Sequence, residues 1–450
     1  MDSMLSSIAY PQRLILCRPF LRRAVAKSSK KVDKKTSLSY GWSNQLQTEH
    51  KEVRMEYSTT QPSGNCFEEE LVFEVTSLYA WLLKLKDQRK RRGVRYPLGL
   101  ILVMVILAKL GGEDGPKGIS EWLRHRIDFL VEHLKLCRRR VPHPITISRV
   151  LGWAIDVEQL ERLLKEYFAS LSGVGQSVLV SIDGKTIRST IPAGETRGTH
   201  LLAVYLPAEG LVLVQIEVDR KENEIVVAPQ VLQMIDLQGK IVVGDALHTQ
   251  RAVSVQIVEA GGNYCWTVKE NQPNLRAAIE RFFEPEVETP GFGKAISDLR
   301  VVRMTNQGHG RFECRTLAVC SVQEGELDWP KAQQVFKLHR RFVYRRNGAE
   351  MEETIYGVTS LSAEQADARQ LLEINRGYWG IENGLHYRRD VTLKEDYTRV
   401  KIGQAARVMA TLNNLVLNLI ARYGVRYVPE ARRKFSAHPD LALPLITRPV

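Results

Sequence analysis

Hydrophobic spacing divides the chain into segments of different period. Leu71, Val75, Leu78, Leu82 and Leu85 recur every three or four residues, which predicts a helix. Arg95-Tyr96-Pro97 opens an apolar run that reaches Leu110, and Gly111-Gly112 closes it, as glycine past a helix end does. Helical spacing continues over 119–136 and 146–171, with a turn at Pro142 and Pro144 between them. Residues 71–172 are therefore expected to form a small all-helical domain with basic corners.

At Ser177 the period changes. Val178-Leu179-Val180-Ser181-Ile182 is almost continuously apolar, as in a strand buried on both faces, and it is expected to stop at Asp183-Gly184-Lys185. Two further strands, 201–206 and 211–218, flank a turn at 207–210. A helix over 224–234 precedes a second buried strand at 240–243, which also stops on an acid, Asp245. A helix at 249–259, a strand at 264–268 and a helix at 273–283 follow. The order predicts an α/β core over 173–284 whose sheet includes an antiparallel edge. Residues 285–354 alternate like antiparallel strands and read as an inserted β-rich subdomain. Helical spacing returns over 363–376 and continues to 424, giving the core a second piece at 355–424; residues 425–450 read as an irregular tail.

Composition adds boundaries. At 44% hydrophobic and 26% charged residues, the 450-residue chain is neither fibrous nor wholly disordered. Its longest apolar run, 98–108, is about half of what a membrane helix needs, so no membrane partner is expected. The six cysteines lie far apart and none has CxxC spacing, which argues for a reducing compartment and against a zinc knuckle. Net charge is +13, which suggests a polyanionic partner such as nucleic acid. Much of it is local: residues 1–40 hold nine Lys/Arg against Asp2 and Asp33. Residues 1–70 read as a basic, mostly disordered extension. The acid-free stretch 3–32 also suits a transit peptide, but a basic arm, or an extension ahead of a later start such as Met55, is the preferred reading.

Asp183 and Asp245 carry the first chemical signal, because open α/β sheets place their sites at the C-terminal ends of strands. A turn-forming Asp is the plain alternative at either position. Paired carboxylates at strand ends suit a hard cation such as Mg²⁺, which calls for a third acid. On a helix, Tyr378, Glu382, His386 and Arg389 share one face, an acid flanked by hydrogen-bonding and cationic groups. Such a face suits phosphoryl transfer; an ordinary surface Glu is the alternative. Gly377, Gly380 and Gly384 weaken that helix by about 1 kcal/mol each. Lys185, His248, Lys269, Asn271 and Gln272 lie beside the strand ends as candidates for phosphate or base contact, with local capping as the alternative for His248 and Asn271. His309 and Arg311 are DNA-contact candidates on a turn of the insertion. Trp266 reads as core, and Asp390 with Glu395-Asp396 as a solvated acidic turn.

Several motifs resemble one family. They are Asp-Gly-Lys at 183–185, Gly-Asp-Ala at 244–246, Val-Lys-Glu-Asn-Gln-Pro at 268–273, Gly-His-Gly-Arg-Phe-Glu at 308–313 and Trp-Gly-Ile-Glu-Asn-Gly-Leu-His at 379–386, then Asp-Val-Thr at 390–392. Together they resemble the H-repeat-associated family of bacterial insertion-sequence transposases. Arg91-Arg92-Gly93-Val94-Arg95-Tyr96-Pro97 is similar to the start of that family's N-terminal associated domain, so the resemblance spans about 71–424. It implies a ribonuclease H-like mixed-sheet core with a β-rich insertion before the final acid. It also implies a D-D-E triad of Asp183, Asp245 and Glu382, and two Mg²⁺ (or Mn²⁺) ions. Its expected partner is double-stranded DNA, at element terminal repeats and at the target, with a homodimer at synapsis and a cytoplasmic, nucleoid-associated location. Arg389 would take the place of a basic residue in the wider group's Tyr-Arg-Glu-Lys signature, and Tyr378 and His386 would join it in DNA contact. Tyr378-Trp379 replaces a frequent His-Trp, and Tyr387 a frequent Trp. The rival reading is a catalytically inactive or repurposed DNA-binding protein derived from a transposase.

Overall fold

The structure is a computed structural model that describes residues 73–219, 223–284, 298–308 and 310–448. The expected basic extension at 1–70 and His309 lie outside the described residues.

Among the described residues one mixed sheet of nine strands organises the fold; counted in chain order, the strands lie third, second, first, fourth, fifth, ninth, eighth, seventh, sixth from one edge to the other. Its first five strands are β1 (Leu179–Thr186), β2 (His200–Leu206), β3 (Leu211–Val218), β4 (Ile241–Gly244) and β5 (Asn263–Val268). Pairing of β1–β4 and β4–β5 is parallel, and the β1–β2 and β2–β3 pairs are antiparallel. The parallel β1–β4 register ends at Ile182↔Gly244, but β1 runs on against β2 to Thr186↔His200. Asp183 is thus inside its strand, not past it, at the point where β4 stops covering it. Alternation along β2 sorts its side chains. Leu202, Val204 and Leu206 pack with the helices α7 (Glu224–Gln233), α8 (Arg251–Glu259) and α9 (Pro273–Arg281), whereas Ala203 and Tyr205 face a large helical layer.

That layer departs from the expected separate N-terminal domain. It begins with α1 (Leu78–Leu82), α2 (Leu98–Leu110), α3 (Pro116–His125), α4 (Ile127–Leu134), α5 (Pro144–Arg149) and α6 (Val157–Ser170). Every residue of α2 is buried. A helix apolar all round must be covered all round, and its neighbours before residue 172 do not suffice. Cover comes from α11 (Ala405–Arg422), α12 (Val428–Ala437) and α13 (Pro439–Ala442), which share one continuous core with α2.

The tail is therefore not irregular. Pro429, Pro439 and Pro444 occupy first turns of α12, α13 and α14 (Pro444–Thr447), where a missing N–H costs nothing. Phe435 and Ile446 are fully buried there. Nor is the β-rich insertion a separate subdomain. Strands β6 (Arg300–Gly308), β7 (Arg311–Ser321), β8 (Gln334–Tyr344) and β9 (Glu350–Thr359) continue the central sheet, joined through antiparallel β5–β9 pairs such as Cys265↔Thr359.

The helix α10 (Ala368–Ile381) lies across β1 and passes directly into two π-helical turns, Glu382–His386 and Arg388–Thr392. Its glycines have a packing reason. A Cβ at Gly380 would lie 2.7 Å from Pro207 Cβ, and one at Gly384 would overlap the Tyr205 hydroxyl. The close approach brings the start of the π-helical segment down onto the sheet beside Asp183.

Candidate active site

Asp183 and His386 meet across the sheet–helix junction, with His386 Nε2 3.2 Å from Asp183 Oδ2. The other Asp183 oxygen accepts from the Gly184 N–H at 3.0 Å. Glu382 completes the group: the ligand atoms of Asp183, Glu382 and His386 all lie within 4.8 Å of one another. His386 is buried and Glu382 is exposed. A π-helical turn widens the helix locally, and such turns recur at functional sites. His386 Nδ1 is buried without a hydrogen-bond partner.

Asp245 lies outside that three-residue group but within its field. Its side chain caps the turn at 246–248, accepting from Leu247 N–H at 2.8 Å. Burial raises its pKa, His248 opposes the rise, and the charge of Asp183 adds to it. Tyr378, one turn before Glu382, registers the whole cluster. Burial pushes its phenol far up, and the charges of Asp183, Asp245, Glu382 and Glu224 push it further. Four carboxylates thus act on one hydroxyl.

Glu224 carries no motif that marks it in the sequence. It opens α7, and its carboxylate lies against Gly184, leaving no room for a Cβ there. The Thr186 hydroxyl faces His200 Nδ1 at 2.7 Å, so His200 Nε2–H is left to donate to Glu224 Oε1 at 2.8 Å. His248 Nε2 lies 3.2 Å from Glu224 Oε2, an ion-pair distance without hydrogen-bond alignment. Burial alone would raise the Glu224 pKa, but the two histidines hold it down to about 2, below the ordinary 4.5. A depressed carboxylate stabilises the fold above its ordinary pKa and loses that contribution as pH falls through the folded value. Glu224→Gln is expected to cost up to about 3 kcal/mol near neutral pH. Denaturant titrations of both proteins should show that gap closing as pH drops from 5 towards 2; a pH-independent gap would contradict the pairing.

Burial removes four residues from the candidates for DNA contact: Lys185, His248, Arg389 and His386, which is buried against Asp183. Lys185 Nζ is buried 2.6 Å from Asp390 and 3.7 Å from Asp396. His248 and Arg389 are fully buried. Arg389 faces Glu395 at 2.7 Å and donates to Gln215 at 3.1 Å. Position beside a strand end fixes a residue's neighbourhood, not which way it faces. The same pairs correct the solvated acidic turn: Glu395 is 3% exposed, and Asp390 and Asp396 are bound to Lys185. Asn271 donates to the Ala246 carbonyl at 2.6 Å, bracing the loop that carries Asp245, and Gln272 donates to Thr249. Lys269 is exposed at the end of β5. Arg311 lies at the insertion's turn, its guanidinium 4.8 Å from the Phe342 ring centre. Trp266 is core, as expected. Among the described residues no helix is long and apolar enough to cross a membrane.

The "H repeat-associated putative transposase YhhI" of Escherichia coli K12 is 27% identical over 355 residues, 77% of this chain and 91% of that protein. "Putative protein YbfL" of the same strain matches to the same identity over 354 residues, with the same coverage. The "H repeat-associated putative transposase YbfD" is 29% identical over 259 residues, 57% of this chain and 98% of that one. A solved piggyBac transposase synaptic complex with hairpin DNA is a distant likeness, at TM-score 0.39 and 9% identity over 81% of this chain and 77% of that one. The family model for the DDE_Tnp_1-associated region matches residues 79–168. That for the transposase DDE domain matches residues 175–419, a span that holds Asp183, Asp245 and Glu382, and the chain therefore belongs to the DDE-domain transposases.

Proposed function

We propose that the protein is an active transposase that cleaves DNA strands and transfers them by metal-dependent phosphoryl transfer, with Asp183, Asp245 and Glu382 as its acids. The observation that carries this reading is the convergence of Asp183, Glu382 and His386, 203 residues apart in sequence for the outer pair, to within 4.8 Å. Two carboxylates and an imidazole facing one another with Asp245 adding charge are a donor set suited to a divalent cation. Asp183 and Glu382 would hold Mg²⁺ or Mn²⁺, and Asp245 would serve a second ion. Bound metal supplies a lowered pKa for water and charge neutralisation at the leaving oxygen.

The chain's own residues do the positioning. Gly184 N–H fixes one Asp183 oxygen while His386 braces the other. Leu247 N–H and Asn271 hold the Asp245 loop. Tyr378 stays protonated through neutral pH, so it adds no charge to the cluster. Lys269 and Arg311 would meet duplex phosphates, so DNA affinity should fall steeply with salt. A ribonuclease H-like assignment of the core and a dimer at synapsis belong to the same proposal.

The test is single-turnover cleavage of duplexes taken from the DNA on either side of the reading frame, with Mg²⁺, with Mn²⁺ and with a chelator. Cleavage is expected with either metal and none with chelator. DNA retention without cleavage in both metals would instead identify an inactive DNA-binding descendant.

A further inference from the structure

A cleft of about 690 Å³ opens between the π-helical segment after Glu382 and the start of α12. Tyr387 and Arg388 line one wall; Arg426, Tyr427 and Arg433 line the other. Arg432 forms the floor. Its guanidinium is committed to the Lys109 and Thr392 carbonyls and to Asp114, which ties α12 to α2 and to the second π-helical turn. The remaining three arginines have no ion pair among the described residues. Arg388 lies 3.5 Å from the Arg426 carbonyl, and the Arg426 guanidinium lies 5.8 Å from the Tyr427 ring centre. None of the lining residues is acidic. Tyr387 and Tyr427 are 58% and 63% exposed, so two large rings face solvent beside uncompensated cations.

Those features have a common chemical complement. Unpaired arginines without a nearby acid favour phosphate oxygens. Exposed tyrosines offer faces on which bases stack. The volume falls within the ~300–1,000 Å³ of small-ligand sites, which suits one or two nucleotides of a single strand and not the body of a duplex. The cleft also begins at Asn383, the residue after Glu382. We propose that it binds unpaired nucleotides of the DNA strand that runs past the acids, with phosphates on Arg388, Arg426 and Arg433 and bases against Tyr387 and Tyr427. This rests on the DNA-cleavage reading and adds where a strand end separated from its complement is held.

The experiment compares binding of the full chain, without divalent metal, to a blunt terminal-repeat duplex and to the same duplex with a short unpaired tail, by fluorescence anisotropy across a salt series. The wild type should prefer the tailed duplex. Tyr427→Ala should cut that preference about fivefold or more. Arg426→Ala with Arg433→Ala should lower the salt slope for the tailed duplex by about 1.4, at about 0.7 for each single-strand phosphate that is no longer neutralised. Blunt-duplex affinity should hold in both. Tyr387→Ala, on the opposite wall, should reproduce the Tyr427→Ala effect, which a local disturbance of α12 would not explain. Equal losses for blunt and tailed DNA would overturn the proposal in favour of a duplex-backbone surface. Unchanged binding would overturn it outright, as would displacement of the tail by a free mononucleotide at equal concentration. A wild type that cuts duplex in Mg²⁺ but ignores the tail would overturn this inference alone. A wild type that neither binds nor cuts DNA would overturn the functional reading and this one with it.

Discussion

Asp183→Asn, Asp245→Asn and Glu382→Gln are each expected to lower single-turnover cleavage roughly 10³-fold or more, with folding and DNA binding retained. Each change keeps shape and removes one negative charge, and a hard cation selects charged oxygens. The geometry explains why stability should hold. Asn at 245 can still accept from Leu247 N–H, since Asn caps as well as Asp does. Glu382 is exposed, so its amide buries nothing new. DNA affinity should hold or rise without metal, because a carboxylate facing a polyphosphate is repulsive. Losses should be non-additive, as for residues that act as one unit. Cleavage, circular dichroism and gel shift on the same preparations check all of this. Robust cleavage by Glu382→Gln would sink its assignment as the third acid. Neither Asp390 nor Glu395 is a ready substitute, because Lys185 and Arg389 already hold them.

Arg389→Ala is expected to destabilise the protein by about 3–5 kcal/mol, since it strands a buried carboxylate. Burial raises the Glu395 pKa, but Arg389 and the Asn413 amide overcome it and hold the group below its ordinary value. Glu395 therefore stabilises the fold above the usual carboxylate range and loses that contribution as pH falls. Without Arg389 the desolvation prevails and Glu395 should take a proton. The deficit of the variant should accordingly be largest at neutral pH and shrink in mild acid, as read by urea denaturation. Arg389→Leu with Glu395→Leu should recover much of the loss, because an apolar pair replaces the ion pair without an orphan charge. A stable Arg389→Ala protein with weakened DNA binding would restore Arg389 to the DNA surface.

What the sequence discloses depends on how far apart the interacting groups are. Local pattern is enough for β3, whose span of Leu211–Val218 matches the alternation, and for α2, whose apolar run ends at Leu110. Asp245, just past β4, is readable for the same reason, whereas β1 runs on past Asp183 because its continued pairing with β2 is not a local property. Pairing between distant segments is not readable. Nothing near residue 350 states that β9 will lie against β5, so the insertion reads as a separate subdomain. Helices α12 to α14 escape a reading of pattern because proline looks like a breaker where it serves as a first-turn residue. Buried partners are invisible where they are remote. Arg389 reaches Gln215, 174 residues away, and Lys185 on β1 meets Asp390 beyond α10. Glu224 carries no local mark beyond its cap, because its meaning lies in His200 and His248.

The shared core of α2 with α11 to α13 has a consequence for how the protein is made. At roughly 5–20 residues per second, a ribosome needs on the order of 10–40 s to travel the 203 residues from Asp183 to His386. Throughout that interval α2, apolar on every side, has been synthesised and its cover has not. The nascent chain thus carries a sticky segment for most of its birth, a natural client for chaperones that shield apolar surface. The acids meet only after the helix beyond the insertion emerges, and the core closes only with the last few dozen residues. A chain terminated before α11 to α13 should therefore fail to fold, so the order of synthesis delays the closed core until those helices are made.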